Sequence, residues 1–296
     1  TCCQAVEVAW LAAWCQDVEL AFEDPATRPN DLGGLGPWVV SASAAVRRSA
    51  RPAQRLRAEA MVVLFARCRD VGCMSGKGPT SASDFGWLAH MRLCWDVPPS
   101  TLGGARALPG VRVRQLAFDV AYGFEYHGAA PRLVLTPLTE RCLVAMTQAL
   151  ACALGANLVG PAGFGKSELV RDAARGAGAF LAVISCAAAF DARCASQVCA
   201  GLAETGSWVC LDGLEQANAQ ALSAVGEHFL VLRNAKRNQQ DFVDIDGASI
   251  RLHHAWALLA CARAGASLAG AGAAGALQTL GLVFRSVAVV APDVWQ

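Results

Sequence analysis

The pattern of apolar and polar positions divides the chain into two textures. In the first, apolar residues recur at helical spacing. Val6 to Phe22 carries Trp10, Trp14 and Val18 in such a run and stops before Asp24-Pro25. A turn-rich stretch from Pro29 to Pro37 separates it from a second helical run, Ala53 to Asp70, in which Arg55, Arg57 and Arg67 stand among apolar residues. After a loop at Gly76 to Pro79, Ser83-Asp84 supplies the short polar side chains that cap a helix, predicted to contain Trp87, Met91 and Trp95. Val97 to Gly110 is rich in Pro and Gly and reads as a linker, whereas Val111 to Leu116 alternates as a half-buried strand does.

From Phe118 the pattern changes to short apolar runs alternating with helical segments. Arg132 to Thr136 reads as a strand, Pro137 to Leu154 as a helix, and Ser167 to Arg175 as another helix. Strands at Phe180 to Ser185 and Ser207 to Leu211 enclose a helix near Ala195 to Glu204. Such alternation predicts an α/β fold, a parallel sheet covered by helices, with ligands at the carboxyl ends of the strands. The change of texture sets the expected division at a mainly helical 1–116 and an α/β 117–296.

Composition narrows the picture. The net charge is +1, so no polyanion-binding surface is indicated, and the basic residues from Arg47 to Arg57 read as a solvated helix face. The chain is 54% hydrophobic, which implies extensive burial or packing against partners. Its 13 cysteines form no Cys-x-x-Cys and fit no zinc spacing, so they read as reduced, small core residues. Ala264 to Phe284 is uncharged and long enough to span a bilayer, but its Ala and Gly content is too weakly apolar for a membrane helix.

The chemistry concentrates in Gly160-Pro-Ala-Gly-Phe-Gly-Lys166-Ser167, which fits the phosphate-loop pattern G-x-x-x-x-G-K-[ST]. Gly160, Gly163 and Gly165 leave the backbone bare, so successive N–H groups can curl around phosphate oxygens. Lys166 reaches the β- and γ-phosphates as a point charge, and the Ser167 hydroxyl suits Mg²⁺. The helix that follows points its positive dipole end at the same anion. Downstream, Trp208-Val-Cys-Leu-Asp212 is an apolar strand ending in an acid, the arrangement that places a carboxylate on Mg²⁺. The blander alternatives are a Gly-rich turn before a helix and an aspartate that merely caps one. Many ATPases of this kind place a glutamate directly after that aspartate to activate water; here the next residue is Gly213, and Glu215 follows two positions on, in a different direction from the strand tip.

Several stretches together resemble the dynein heavy chain, the microtubule motor. They are Asp84-Phe-Gly-Trp87 through Trp95, Tyr122-Gly-Phe-Glu-Tyr126-His-Gly128, Pro131 to Cys142, Gly160 to Ser167, Gly206 to Asp212, and Phe284-Arg285 through Asp293. The resemblance implies the end of a dynein linker, mainly helical, over 1–116. Over 117–296 it implies the large subdomain of the first AAA+ module, a three-layer P-loop NTPase domain without its helical lid. It implies that Leu135, Thr136, Pro137, Leu138 and Thr139 lie against adenine, and that Gly160, Pro161, Ala162, Gly163, Phe164, Gly165, Lys166 and Ser167 hold the phosphates of ATP or ADP. Ser167 and Asp212 then hold Mg²⁺. The implied partners are the remaining motor modules, dynein intermediate and light intermediate chains, and microtubules indirectly, with no nucleic acid or membrane. The implied setting is cytoplasm, cytoskeleton or ciliary axoneme.

The chain departs from the family pattern at chemical positions. Phe164 stands where dyneins have Thr, Gly213 where they have the catalytic Glu, and Arg263-Ala-Gly265 where they have the water-polarising Asn-Pro-Gly. Ala266 to Ala276 is a Gly/Ala tract in place of a charged sequence, and Arg285 resembles an arginine finger that serves a neighbouring module's site. No catalytic residue is therefore assigned beyond Glu215 as a weak candidate. The readings that stand are an ATP-driven motor fragment, a nucleotide-binding module that does not hydrolyse and acts structurally or as a regulator, and a decayed gene product.

Overall fold

The computed structural model describes residues 3–23, 35–49, 51–72, 79, 81–96, 110–128, 131–187, 190–264 and 280–290. Of the predicted linker Val97 to Gly110, residues 97–109 lie outside the described residues and Gly110 begins a strand, and the Gly/Ala tract over 266–276 also lies outside them. The chain divides into two compact units, Thr1–Leu135 with Gly176–Gly178, and Thr136–Arg175 with Ala179–Gln296. Phe118–Ala121 pairs antiparallel with Gly110–Gln115 within the first unit.

The first unit contains helices α1 (Cys3–Glu23), α2 (Gly36–Arg48), α3 (Pro52–Gly72) and α4 (Phe85–Ala89), with strands β1 (Arg92–Asp96), β2 (Gly110–Gln115) and β3 (Phe118–Ala121). Trp14, Val18, Leu64, Cys68 and Trp87 share one buried cluster, and Trp14 and Trp87 meet at 5.7 Å between ring centroids. Helix α2 went unpredicted, although Pro37 in its first turn is a start signal.

Two sequence expectations fail here. The helix capped by Asp84, whose carboxylate accepts from the Gly86 N–H at 2.9 Å, ends at Ala89 and does not reach Met91 or Trp95. Residues 92–96 instead pair with 110–114, which buries Leu93 and leaves Trp95 half exposed; the ladder wins over a spacing that also fits a helix face. Arg132 to Thr136 forms no strand: Pro131 and Pro137 bracket it and remove ladder donors, and Val134 is exposed.

The second unit is built on a parallel sheet of β4 (Gly155–Gly160), β5 (Leu181–Ser185), β6 (Trp208–Asp212), β9 (Ala257–Arg263) and β10 (Phe284–Ala288), in the order β10-β4-β9-β6-β5. Helices α5 (Pro137–Ala151), α6 (Lys166–Ala177), α7 (Ala192–Thr205) and α8 (Ala219–Arg237) alternate with the strands, and a 3-10 turn covers Leu214–Gln216. Thus the expected α/β class of a P-loop NTPase is observed. A hairpin of β7 (Phe242–Ile245) and β8 (Ala248–Arg251) was not foreseen, though its Asp246-Gly247 turn, with φ of 50° and 81°, carries the usual hairpin signal. Val209, Leu211, Leu222, Phe229, Leu232, Leu258 and Phe284 belong to one buried cluster. Among the described residues no helix is long and apolar enough to cross a membrane.

Among the described cysteines, Cys15, Cys68, Cys142, Cys186, Cys199, Cys210 and Cys261 are buried, whereas Cys94 and Cys194 are half-buried and Cys152 is exposed. Burial pushes the thiols of Cys68 and Cys199 up to about 12 from the ordinary 9.0. In the unfolded chain these thiols ionise above their ordinary value, while the folded state keeps the proton until about 12. Folding stability is therefore intact below pH 9 and falls as pH rises through this window, by about 1.4 kcal/mol per pH unit and per thiol. Urea unfolding at pH 8 and pH 10 is expected to show this loss, and Cys199→Ala should remove one thiol's share of the slope. An unchanged slope in that variant would contradict it.

Candidate nucleotide site

The carboxyl ends of β4, β9 and β6 open onto a cleft of about 510 Å³ lined by loop residues Ala162, Gly163, Gly165, Lys166 and Ser167 and, from elsewhere, by Asp212, Glu215, Cys261 and Arg263. Gly163 and Gly165 have φ of +83° and +73°, the left-handed backbone that lets the loop fold back on itself. Lys166 Nζ donates to the carbonyl oxygens of Gly160 at 2.9 Å and Pro161 at 2.6 Å, so the ammonium is held against the loop where an anion can take it. Ser167 Oγ donates to Asp212 Oδ2 at 3.3 Å, across 45 residues of sequence. The predicted pairing of phosphate loop and acidic strand tip is thus present in space. Phe164, by contrast, is more than a third exposed and does not line the cleft.

The residues expected against adenine, Leu135 to Thr139, lead into and open helix α5. Leu135 is half-buried in a stretch without regular secondary structure. Thr136 and Thr139 form a reciprocal capping box at the start of α5, with Pro137 in its first turn. Thr136, Pro137, Leu138 and Thr139 are not among the residues lining the cleft.

Two positions decide what chemistry the cleft can perform. Gly213 has φ +74° and φ/ψ of the left-handed region, its N–H donating to Cys261 O at 2.9 Å. The backbone therefore turns away immediately after Asp212, into the 3-10 turn that carries Glu215. That turn brings Glu215 to the cleft wall, where its side chain is only 9% exposed. There the carboxylate accepts from the backbone N–H of Arg263 at 3.2 Å and forms an ion pair with the Arg263 guanidinium at 3.7 Å. Arg263 is the register partner of Gly160, so β9 delivers it beside the first residue of the phosphate loop.

Cys261, on β9 opposite Asp212, is a wall residue that sequence reasoning did not find. Its Sγ lies 3.8 Å from that of Cys210. The hydrogen bond from the Cys210 thiol, with help from Ser167, draws the Cys261 thiol below its ordinary value; the same bond and burial push Cys210 up. Burial beside Asp212 and Glu215 raises Cys186 to about 12. Only the strand order, with β9 between β4 and β6, shows that these side chains meet.

Residues 122–296 match the family described as the hydrolytic ATP-binding site of the dynein motor region. The chain belongs to the dynein heavy-chain family. It is 31% identical over 283 residues to a cytoplasmic dynein heavy chain of Caenorhabditis elegans, covering 95% of this chain and 6% of that one. A cytoplasmic dynein heavy chain of Paramecium tetraurelia is 29% identical over 293 residues, 98% of this chain and 6% of the relative. Human dynein axonemal heavy chain 10 is 33% identical over 215 residues, 73% of this chain and 4% of the relative. The chain thus spans about 6% of the length of these two cytoplasmic dynein heavy chains. The residues that line the cleft all fall within the matched stretch.

Proposed function

We propose that the chain is a nucleotide-holding module of a dynein heavy chain, binding MgATP and MgADP at the Lys166 loop and hydrolysing ATP at a rate near background. The observation that carries this is the geometry after Asp212. Gly213 occupies the position of the catalytic glutamate, and Glu215, which does reach the cleft, is held by Arg263 through its backbone and side chain. A carboxylate so engaged is not aimed at an attacking water.

For the metal, a hydroxyl and a carboxylate lie together in one cleft, Ser167 Oγ and Asp212 Oδ2. Hard oxygen donors of this kind, completed by phosphate oxygens and water, suit Mg²⁺, which would screen the phosphate charge. Ser167 and Asp212 would hold it, and Leu135 to Thr139 would approach the base. The first unit then corresponds to the end of the linker, and the second to the AAA+ large subdomain. The chain would act at the cytoskeleton or in a cilium, a reading supported by its cytoplasmic and axonemal relatives, and would work with further motor modules and, through them, with intermediate and light intermediate chains and microtubules.

Isothermal titration of the purified chain with MgADP tests the binding. Lys166→Ala is expected to weaken it about 10- to 100-fold, the share of hydrogen bonds from a charged donor. Equal affinity before and after that substitution would mean that nucleotide is not held at this loop.

A further inference from the structure

We propose that an aromatic pocket in the first unit receives a trimethylated lysine side chain of a partner protein, its trimethylammonium head seated among Trp95, Tyr122, Phe124 and Tyr126. The inference is independent of the nucleotide reading, since every residue it uses belongs to Thr1–Leu135 or Gly176–Gly178.

The rings are brought together by pairing and by a strained turn. Strand β1 sets Trp95 opposite Val111 of β2, and the Tyr122 N–H donates to the Val111 carbonyl at 2.8 Å. Tyr122 is buried, and Phe124 meets it edge-on with ring centroids 5.1 Å apart. Phe124 has φ +54°, a left-handed backbone that a bulky residue rarely adopts. The N–H groups on either side of it hold that conformation: Gly123 donates to Ala177 O at 3.0 Å and Glu125 to Gly178 O at 2.8 Å. The result leaves Trp95, Phe124 and Tyr126 exposed by 41%, 65% and 72% around a cavity of about 310 Å³. Packing alone gives no reason to hold an exposed ring on strained backbone, whereas a ligand for the ring faces does.

The chemistry of the lining selects the occupant. Among the described residues no charged side chain lines the pocket. Its amide, Gln4, is already engaged: Nε2 donates to the Tyr122 hydroxyl at 2.9 Å and to Glu125 O at 2.5 Å, and Oε1 accepts from the His127 N–H at 2.9 Å. An unmodified lysine ammonium brings N–H donors that such walls leave unpaired. A trimethylammonium head has no N–H, keeps its charge, and is attracted by the negative faces of aromatic rings. The α1 wall of Ala5, Val8 and Ala9 is apolar and suits the hydrocarbon stem of a lysine. A choline head becomes polar sooner along its stem, which this wall does not satisfy.

Titration calorimetry of the purified chain reads the effect, with N-acetyl amides of Nε-trimethyllysine, of lysine, and of the neutral isostere that carries a tert-butyl head. Trimethyllysine is expected to bind about tenfold more tightly than lysine and about fivefold more tightly than the isostere, the share of cation–π attraction at a part-exposed site. Phe124→Leu and Trp95→Leu keep an apolar wall and remove a ring face. Each should weaken trimethyllysine by about three- to tenfold and narrow its advantage over the isostere. Unchanged far-UV dichroism and urea midpoint show that a variant is folded, and Tyr126→Leu, at the most exposed ring, replaces either variant that is not. Equal affinity for trimethyllysine and lysine, or for trimethyllysine and the isostere, overturns the inference. So does an advantage that survives the ring substitutions, or tighter binding of phosphocholine than of trimethyllysine.

Discussion

The purified chain is expected to release phosphate from MgATP at a rate near background, and Gly213→Glu is expected to leave it there. A positioned general base contributes roughly 10²–10⁴ in rate, and the residue that would supply it is Gly213. Restoring the side chain does not restore the geometry. The backbone at this position has φ +74°, where a residue with a Cβ costs about 1–2 kcal/mol. A glutamate there leaves the chain in the direction set by a left-handed turn, not by an extended strand tip. Its Cβ would also lie 3.1 Å from the Gln216 side-chain nitrogen, which is flexible enough to move, so crowding is the smaller obstacle. The second component such sites use is an arginine finger, worth about 10³–10⁵ in related phosphate-loop enzymes. Arg285 sits exposed on the edge strand β10 and does not line the cleft. Groups that act as a unit recover little when one alone is restored. A phosphate-release assay on both proteins decides the point: turnover on the order of 1 s⁻¹ in either would mean that Glu215 or a second copy of the chain completes the site.

Phe229→Ala is expected to destabilise the α/β unit by about 3–5 kcal/mol, the cost of emptying an aromatic site in a packed core. Phe229 lies on α8 with no exposed surface, stacks on Phe284 at 5.4 Å and meets Trp256 edge-on at 5.3 Å. It therefore joins α8 to the edge strand β10 and to the segment entering β9, and its loss leaves a void that three elements share. A typical domain has only about 5–15 kcal/mol in reserve, so the variant should unfold at markedly lower urea and bind nucleotide poorly at physiological temperature. Val231→Ala, two residues on at a 42% exposed position, is the control and should shift stability by about 0.5 kcal/mol or less. A loss under about 1 kcal/mol for Phe229→Ala would show that the cluster repacks around the vacancy.

What the sequence determined by itself was local. The phosphate loop from Gly160 to Ser167 was legible because one short run supplies its glycines, its cation and its hydroxyl. Asp212 was legible because the apolar run before it fixes a buried strand and so a tip. Helices α1, α3, α5, α6 and α7 were readable within a few residues from their periodicity and caps. Tertiary structure decided wherever a competing partner lay far along the chain. Trp87, Met91 and Trp95 have helical spacing, yet residues 92–96 found a ladder with 110–114 and became a strand. Arg132 to Thr136 has the composition of a strand and no strand to pair with between its two flanking prolines. Glu215 looked misdirected in sequence because the left-handed turn at Gly213 was not visible there; the turn brings it to Arg263, 48 residues away. Cys261 entered the site for the same reason, since β9 must first be inserted between β4 and β6. Hydrogen-bond ladders take their partners from any distance along the chain, and strand order is the information that a local pattern does not contain.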